Sequence, residues 1–159
     1  MPPLIRSATA ADTALILQFI RALADFEKLS HEVAATETQL RTTLFPATGA
    51  PAAHCVIAYA DGMPAGFALY FFNYSTFLAK PGLYLEDLFV KPEFRGHGIG
   101  KALLLHLAKY ANALDCGRME WSVLDWNQPA IEFYENLGAR RLRDWQICRL
   151  TGPKLARYA

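Results

Sequence analysis

Residues 95–101 read Arg-Gly-His-Gly-Ile-Gly-Lys, three glycines alternating with other residues where an apolar run gives way to a helical pattern. The first backbone amides of a helix have no partner inside it. Glycines let an anion approach those amides, and the helix dipole favours negative charge there. The expected ligand is a phosphate or pyrophosphate. A Walker A loop would need glycine at position 95 and Ser or Thr at 102, where Arg95 and Ala102 stand. A dinucleotide fingerprint would need glycine at 101, where Lys101 stands, and would come early in its domain. The spacing that fits is R-x-x-G-x-G, Arg95 to Gly100. The competing reading is a plain turn before a helix, which gives no return for the backbone entropy that Gly96, Gly98 and Gly100 cost. His97 either sits near phosphate or is an exposed loop residue. Lys101 either adds charge beside the anion or is a solvated helix lysine.

A second set of groups is acidic. Residues Leu83 to Val90 (LYLEDLFV) read as a strand carrying two adjacent carboxylates. Strict alternation puts Tyr84, Glu86, Leu88 and Val90 on one face and Leu85, Asp87 and Phe89 on the other. Burying a carboxylate is costly, so the pair needs a reason. Either Glu86 lines a site for a cationic amine, or one carboxylate is exposed at a bulge while the other forms a buried ion pair. An alkylamine of pKa ~10.4 is almost wholly protonated at neutral pH and must lose a proton before its nitrogen can attack. A carboxylate can draw in the ammonium and pass that proton to solvent, and Glu86 is the candidate. Upstream, Ile16, Ile20 and Leu23 define an apolar helical stripe whose next position is Glu27, a candidate for holding a second positive centre. Residues Asn127 to Ala139 (NQPAIEFYENLGA) form a further helix with Asn127 as its cap. Ala130, Phe133, Tyr134 and Leu137 share one face, so Tyr134 points inward, whether as a core tyrosine or as a working one.

Arg95-x-x-Gly98-x-Gly100 after an apolar strand, followed by N-x-x-A-x-x-F-Y-x-x-x-G, resembles the GNAT superfamily of N-acetyltransferases. The resemblance implies acetyl-CoA as co-substrate, with no metal. It implies that the backbone of Leu88, Phe89 and Val90 meets the pantetheine arm. It also implies that Arg95, Gly96, His97, Gly98, Ile99, Gly100 and Lys101 hold the pyrophosphate, that Asn127, Gln128 and Pro129 touch the cofactor, and that Tyr134 protonates the leaving thiolate. Full transfer from a phenol (pKa ~10) to a thiolate (~8.5) is uphill by about 2 kcal/mol, and transfer concerted with C–S cleavage avoids most of that. The segments YFFNYSTF, YLEDLFV and VLDWNQPAIEFYENLGA, with ALADFEKL upstream, are similar to the diamine (spermidine/spermine) and thialysine branch over residues 4–150. That similarity implies substrate contacts from Phe26, Glu27 and Glu86, and a homodimer; Asp87 is a further substrate candidate, and Trp145 either is a core or rim aromatic or borders the substrate. Phe26 stands where polyamine-acetylating members tend to have tyrosine, and Arg140, Arg141 and Arg143 would repel a long polycation. A short diamine, a polyamine, thialysine or another lysine-like amine remain open as acceptors. So do a protein or peptide acetyltransferase and a non-catalytic acyl-CoA-binding regulatory module.

Those groups must be carried by a fold. The 159 residues suit a single domain, with a core over about residues 4–150 and a short tail, and 53% hydrophobic residues can fill it. Sixteen Lys and Arg against fifteen Asp and Glu give +1, which argues against a nucleic-acid binder. Cys55, Cys116 and Cys148 are odd in number and lack a C-x-x-C pair; His31, His54 and His106 lack metal-ligand spacing. No membrane span or signal peptide is legible, so the cytoplasm is expected. Strands are expected at Leu4–Ser7, His54–Ala60, Ala65–Tyr74, Leu83–Val90, Met119–Leu124 and Gln146–Leu150. Helices are expected from Thr9/Asp12 to about Leu29, from Thr36 to Leu44, over about Ile99–Leu114, and from Asn127 to Leu137. The class is α/β, an α+β mixed sheet with helices on both faces; the resemblance makes it mostly antiparallel.

Overall fold

Asp61 and Gly62 both hold positive φ (+50° and +77°), the conformation a two-residue hairpin turn of the right twist requires. They join β2 (His54–Ala60) to β3 (Met63–Ser75), and Ala60 pairs with Met63 across the turn. The computed structural model describes all residues 1–159. They form two compact units, Met1–Ser122 and Val123–Ala159.

The first unit holds one five-stranded sheet in the order β1-β2-β3-β4-β5, with β1 at Leu4–Ser7, β4 at Lys80–Val90 and β5 at Arg118–Trp121. Every neighbouring pair is antiparallel except β4 and β5, which run parallel. α1 (Thr13–Phe26) and α2 (Glu37–Leu44) cover one face. Ile16, Leu17 and Phe19 of α1 and Leu40 and Leu44 of α2 pack there with Cys55, Ile57, Phe67, Leu69 and Phe89 of the sheet. Phe19 stacks on Phe67 at 5.0 Å. The expected stripe is present, but Ile20 and Leu23 are only partly buried and Phe19 takes the central place. α3 (Ile99–Ala113) covers the other face through Leu103 and Leu107, and its Tyr110 meets Tyr70 of β3 edge-on at 6.1 Å.

Two features of this unit open the space in which a ligand could lie. The parallel pairing of β4 with β5 runs only from Gly82↔Arg118 to Leu85↔Trp121. Beyond it, Glu86 to Val90 lack a strand partner on the β5 side, and their backbone groups there are left to other partners. The second feature is the end of α1. The sequence pattern carries it to Leu29, but it stops at Phe26 because Lys28 adopts φ +61°. Leu29 N–H then donates to Ala24 O (2.8 Å) and Lys28 N–H to Asp25 O (3.1 Å), a Schellman closure with lysine where glycine is usual. Such a left-handed non-glycine residue carries strain, and it fixes Phe26 and Glu27 at a sharp corner.

The second unit carries α4 (Gln128–Asn136) and a four-residue turn of helix, α5 (Pro153–Ala156). The strand expected at Gln146–Leu150 is absent: these residues are irregular and exposed, Ile147 at 75%. An alternating pattern makes a strand only where a ladder accepts it, and no strand of this chain pairs with these residues.

Candidate functional site

The glycine-rich loop is built for backbone exposure. A short turn of helix at Pro92–Phe94 leads into Arg95, Gly96 holds φ +80°, and Gly98, the N-cap of α3, holds φ +76°. No side chain caps α3, and its first backbone bond runs from Ala102 N–H to Gly98 O at 2.9 Å. A Cβ at Gly96 or Gly98 would meet nothing within 4 Å, so packing does not demand glycine there; the left-handed backbone does. The result is a stretch of unpaired amides at a helix start that faces open space, the chemistry an anion needs. The fifteen residues of α3 give that end a full helix dipole.

Arg95 also contacts the elements around the loop. Its Nε donates to Val90 O at 2.9 Å. Its guanidinium lies over Phe26 (4.8 Å) and Phe89 (5.4 Å). The side chain thus ties the loop to the end of β4 and to the corner at the end of α1, a link that sequence spacing does not reveal. His97 is exposed, with Nδ1 3.4 Å from Phe94 O, and Lys101 is exposed on the first turn of α3.

The acidic strand departs from simple alternation. Leu69 of β3 pairs with Asp87, yet Tyr70 pairs with Leu85, so Glu86 is the extra residue of a β-bulge. The bulge shifts the phase of everything after it. Leu85, opposite Tyr70, belongs to the α3 face, as does Val90, whose side chain a Cβ on Gly100 of α3 would meet. Asp87 and Phe89 belong to the α1 face with Leu69 and Phe67. The bulge therefore overturns the expected grouping of Tyr84 with Leu88 and Val90, and of Leu85 with Asp87 and Phe89. Glu86 is exposed, while Asp87 is half-buried on the side of α1. No hydrogen-bond donor or cation of the protein reaches the Asp87 carboxylate, so the buried ion pair that formed part of the alternative reading is absent. Burial, with the charges of Glu86 and Glu27 added, pushes the Asp87 carboxyl up to about 6. Burial also raises Glu27. Burial pushes Cys55 up to about 12 and raises Cys116, so neither offers a thiolate nucleophile at neutral pH.

In the second unit, Asn127 caps α4 as expected, its Oδ1 accepting from Ala130 N–H at 3.3 Å, with Pro129 in the first turn. Gln128 Nε2 donates to Glu132 Oε1 at 3.1 Å. Tyr134 is half-buried, its ring 5.3 Å from that of Phe133. Its carbonyl accepts from Ala139 N–H (3.1 Å), closing the helix at Gly138 with φ +97°. Trp145 is 79% exposed. Arg141 pairs with Glu135 at 2.8 Å, while Arg140 and Arg143 are exposed.

An uncapped glycine loop beside a β4 segment without its β5 partner leaves a run of backbone amides open to a phosphate-bearing ligand. Residues 19–139 match the model of the Acetyltransferase (GNAT) family, and the chain belongs to that family: it is an N-acetyltransferase. Among its relatives, the thialysine N-epsilon-acetyltransferase of Bos taurus is 39% identical over 98% of this chain and 96% of its own length. The L-ornithine N5-acetyltransferase of Arabidopsis thaliana is 36% identical over 95% of this chain and 85% of its own. Among solved structures, an integron cassette protein of V. cholerae superposes with a TM-score of 0.80 at 27% identity, over 99% of this chain and 98% of that one.

Proposed function

We propose that this chain transfers the acetyl group of acetyl-CoA to the terminal primary amine of a small acceptor, a lysine-like amino acid or a short diamine, by direct attack. One observation carries the reading: the carboxylates of Glu27, Glu86 and Asp87 stand together without a counter-ion, close to a glycine loop suited to a pyrophosphate. An ammonium ion supplies the charge those carboxylates lack. The thialysine and ornithine acetyltransferases among the relatives support the acceptor class.

Acetyl-CoA, when bound, supplies a thioester carbonyl open to a nitrogen nucleophile. The amides of Gly96 to Lys101 and the start of α3 hold its pyrophosphate. The backbone of Leu88 to Val90, without a β5 partner, lines its pantetheine arm. Glu86, exposed at the bulge, meets the incoming ammonium, and Glu27 with Phe26 holds the far end of the acceptor. Tyr134 gives its phenolic proton to the leaving sulfur. Asn127, Gln128 and Pro129 contribute cofactor contacts. The basic residues Arg140 and Arg143 favour an acceptor with a carboxylate over a long polycation. The two units act as one acetyltransferase domain, which the family match across both supports. The working form is a homodimer in the cytoplasm; no helix is long and apolar enough to cross a membrane.

The test is thiol release from acetyl-CoA with a panel of amines. Release with thialysine, ornithine or diaminobutane is expected. Release with peptides alone would assign a protein acetyltransferase instead, and tight acetyl-CoA binding without release for any acceptor would assign a regulatory module.

A further inference from the structure

The β-bulge separates the two neighbouring carboxylates of β4 into different environments. Glu86, the unpaired extra residue, is exposed to solvent. Asp87 turns toward α1, in register with Leu69 and alternating with Phe89, whose ring is buried in the α1–α2 core. A withdrawn, unpaired carboxylate holds a proton more firmly than one in water, which makes it the better acceptor near neutral pH.

We infer that Asp87, and not Glu86, accepts the proton that the acceptor ammonium must lose before attack. The inference rests on the proposed amine acetylation and deepens it. The groups facing Asp87 fit the role. From α1 comes Glu27, from β2 the protonated thiol of Cys55, and from its own strand Glu86. Of the cations around that face, Arg95 lies over Phe26 and Phe89 and Lys91 over Phe19; neither they nor Lys28 at the α1 corner form an ion pair with Asp87. Burial, with two negative neighbours added, raises Asp87 to about 6, so at pH 7 it is ionised yet far more basic than an exposed aspartate.

One ammonium proton passes to Asp87, directly or through a water molecule, and from there to solvent. The freed lone pair forms the C–N bond and the C–S bond breaks. The sulfur keeps that electron pair and takes the proton of Tyr134, and the second nitrogen proton restores the phenol. The net products are the amide, the thiol and one proton.

The experiment is the pH profile of kcat/KM for the amine at saturating acetyl-CoA, for the native chain, Asp87→Asn and Glu86→Gln. Native activity is expected to fall on the acid side with an apparent pKa of about 6. Asp87→Asn should lose about 100-fold or more at pH 7.5 and lose that acid limb, its activity rising tenfold per pH unit as free amine accumulates. Glu86→Gln should keep the limb and raise KM more than it lowers kcat. An unchanged limb in Asp87→Asn, or its loss in Glu86→Gln, would overturn the assignment while leaving acetylation intact. A native chain that acetylates no amine would instead sink the function itself. Carboxyl carbon NMR of the native protein tests the point should Asp87→Asn fail to fold: Asp87 titrating near 6 supports it, and Asp87 titrating below 5 contradicts it.

Discussion

Tyr134 and Asp87 are asked for opposite things, a proton to give and a proton to take, and each makes a separable prediction. Tyr134→Phe removes one oxygen and no apolar contact, and the Schellman closure behind it is backbone alone. Turnover should fall about 100-fold while the acetyl-CoA Kd, measured by titration calorimetry, changes less than threefold. Equal loss of both would mean that the phenol binds rather than reacts. Asp87 exacts a cost in stability. Its folded pKa of about 6 lies above the ordinary value of 3.8, so the folded chain binds the proton more tightly than the unfolded one. This group's contribution is neutral below about pH 4, turns unfavourable between 4 and 6, and is fully unfavourable above 6. Asp87→Asn should therefore stabilise the chain at pH 7.5 by on the order of 2 kcal/mol, with the gain vanishing at pH 4. Urea unfolding at both pH values checks it. A destabilised variant at pH 7.5 would mean that the carboxylate has a favourable partner.

At the scale of elements, the glycine loop and the end of α1 are joined by Arg95, which spans Val90 O and the rings of Phe26 and Phe89. The loop should respond to backbone changes more than to side-chain ones. Gly98→Ala meets no steric block but must hold φ +76°, at a cost of about 1 kcal/mol. Its methyl group also adds bulk beside the loop's unpaired amides. A tenfold or greater rise in acetyl-CoA Kd is expected beside that modest stability loss; an unchanged Kd would place the pyrophosphate elsewhere. The loop was legible in the sequence because its information is local: Arg95, Gly98 and Gly100 lie within six residues, and the turn they make needs no distant partner. The phase of Leu83–Val90 was not legible, because it depends on how Leu69 and Tyr70 pair across the sheet. Two adjacent carboxylates in an apolar strand were the available hint of a bulge. The end of α1 was hidden for a related reason: Lys28 is an ordinary helix former in sequence, and only the corner it must turn forces it left-handed.

For the whole molecule, the alternation of strands and helices, the hairpin at Asp61-Gly62 and the mixed sheet followed from periodicity and turn chemistry. The strand expected at Gln146–Leu150 did not, since pairing is a property of neighbours rather than of pattern. That segment leaves Trp145, Ile147 and Leu150 in water. Clustered exposed apolar side chains of this kind suit a contact between copies. Sedimentation equilibrium should give the mass of two chains, and Trp145→Ser with Ile147→Asp should shift it toward one; a monomer at all concentrations would contradict the dimer. The acceptor can be read from the acetylated product itself. With acetyl-CoA and an equal mixture of thialysine, ornithine, spermidine and a lysine peptide, mass spectrometry should find acetyl on the terminal nitrogen of the amino acids first, one for each thiol released. Acetyl on the peptide alone, or thiol release with no acetylated amine, would contradict the account.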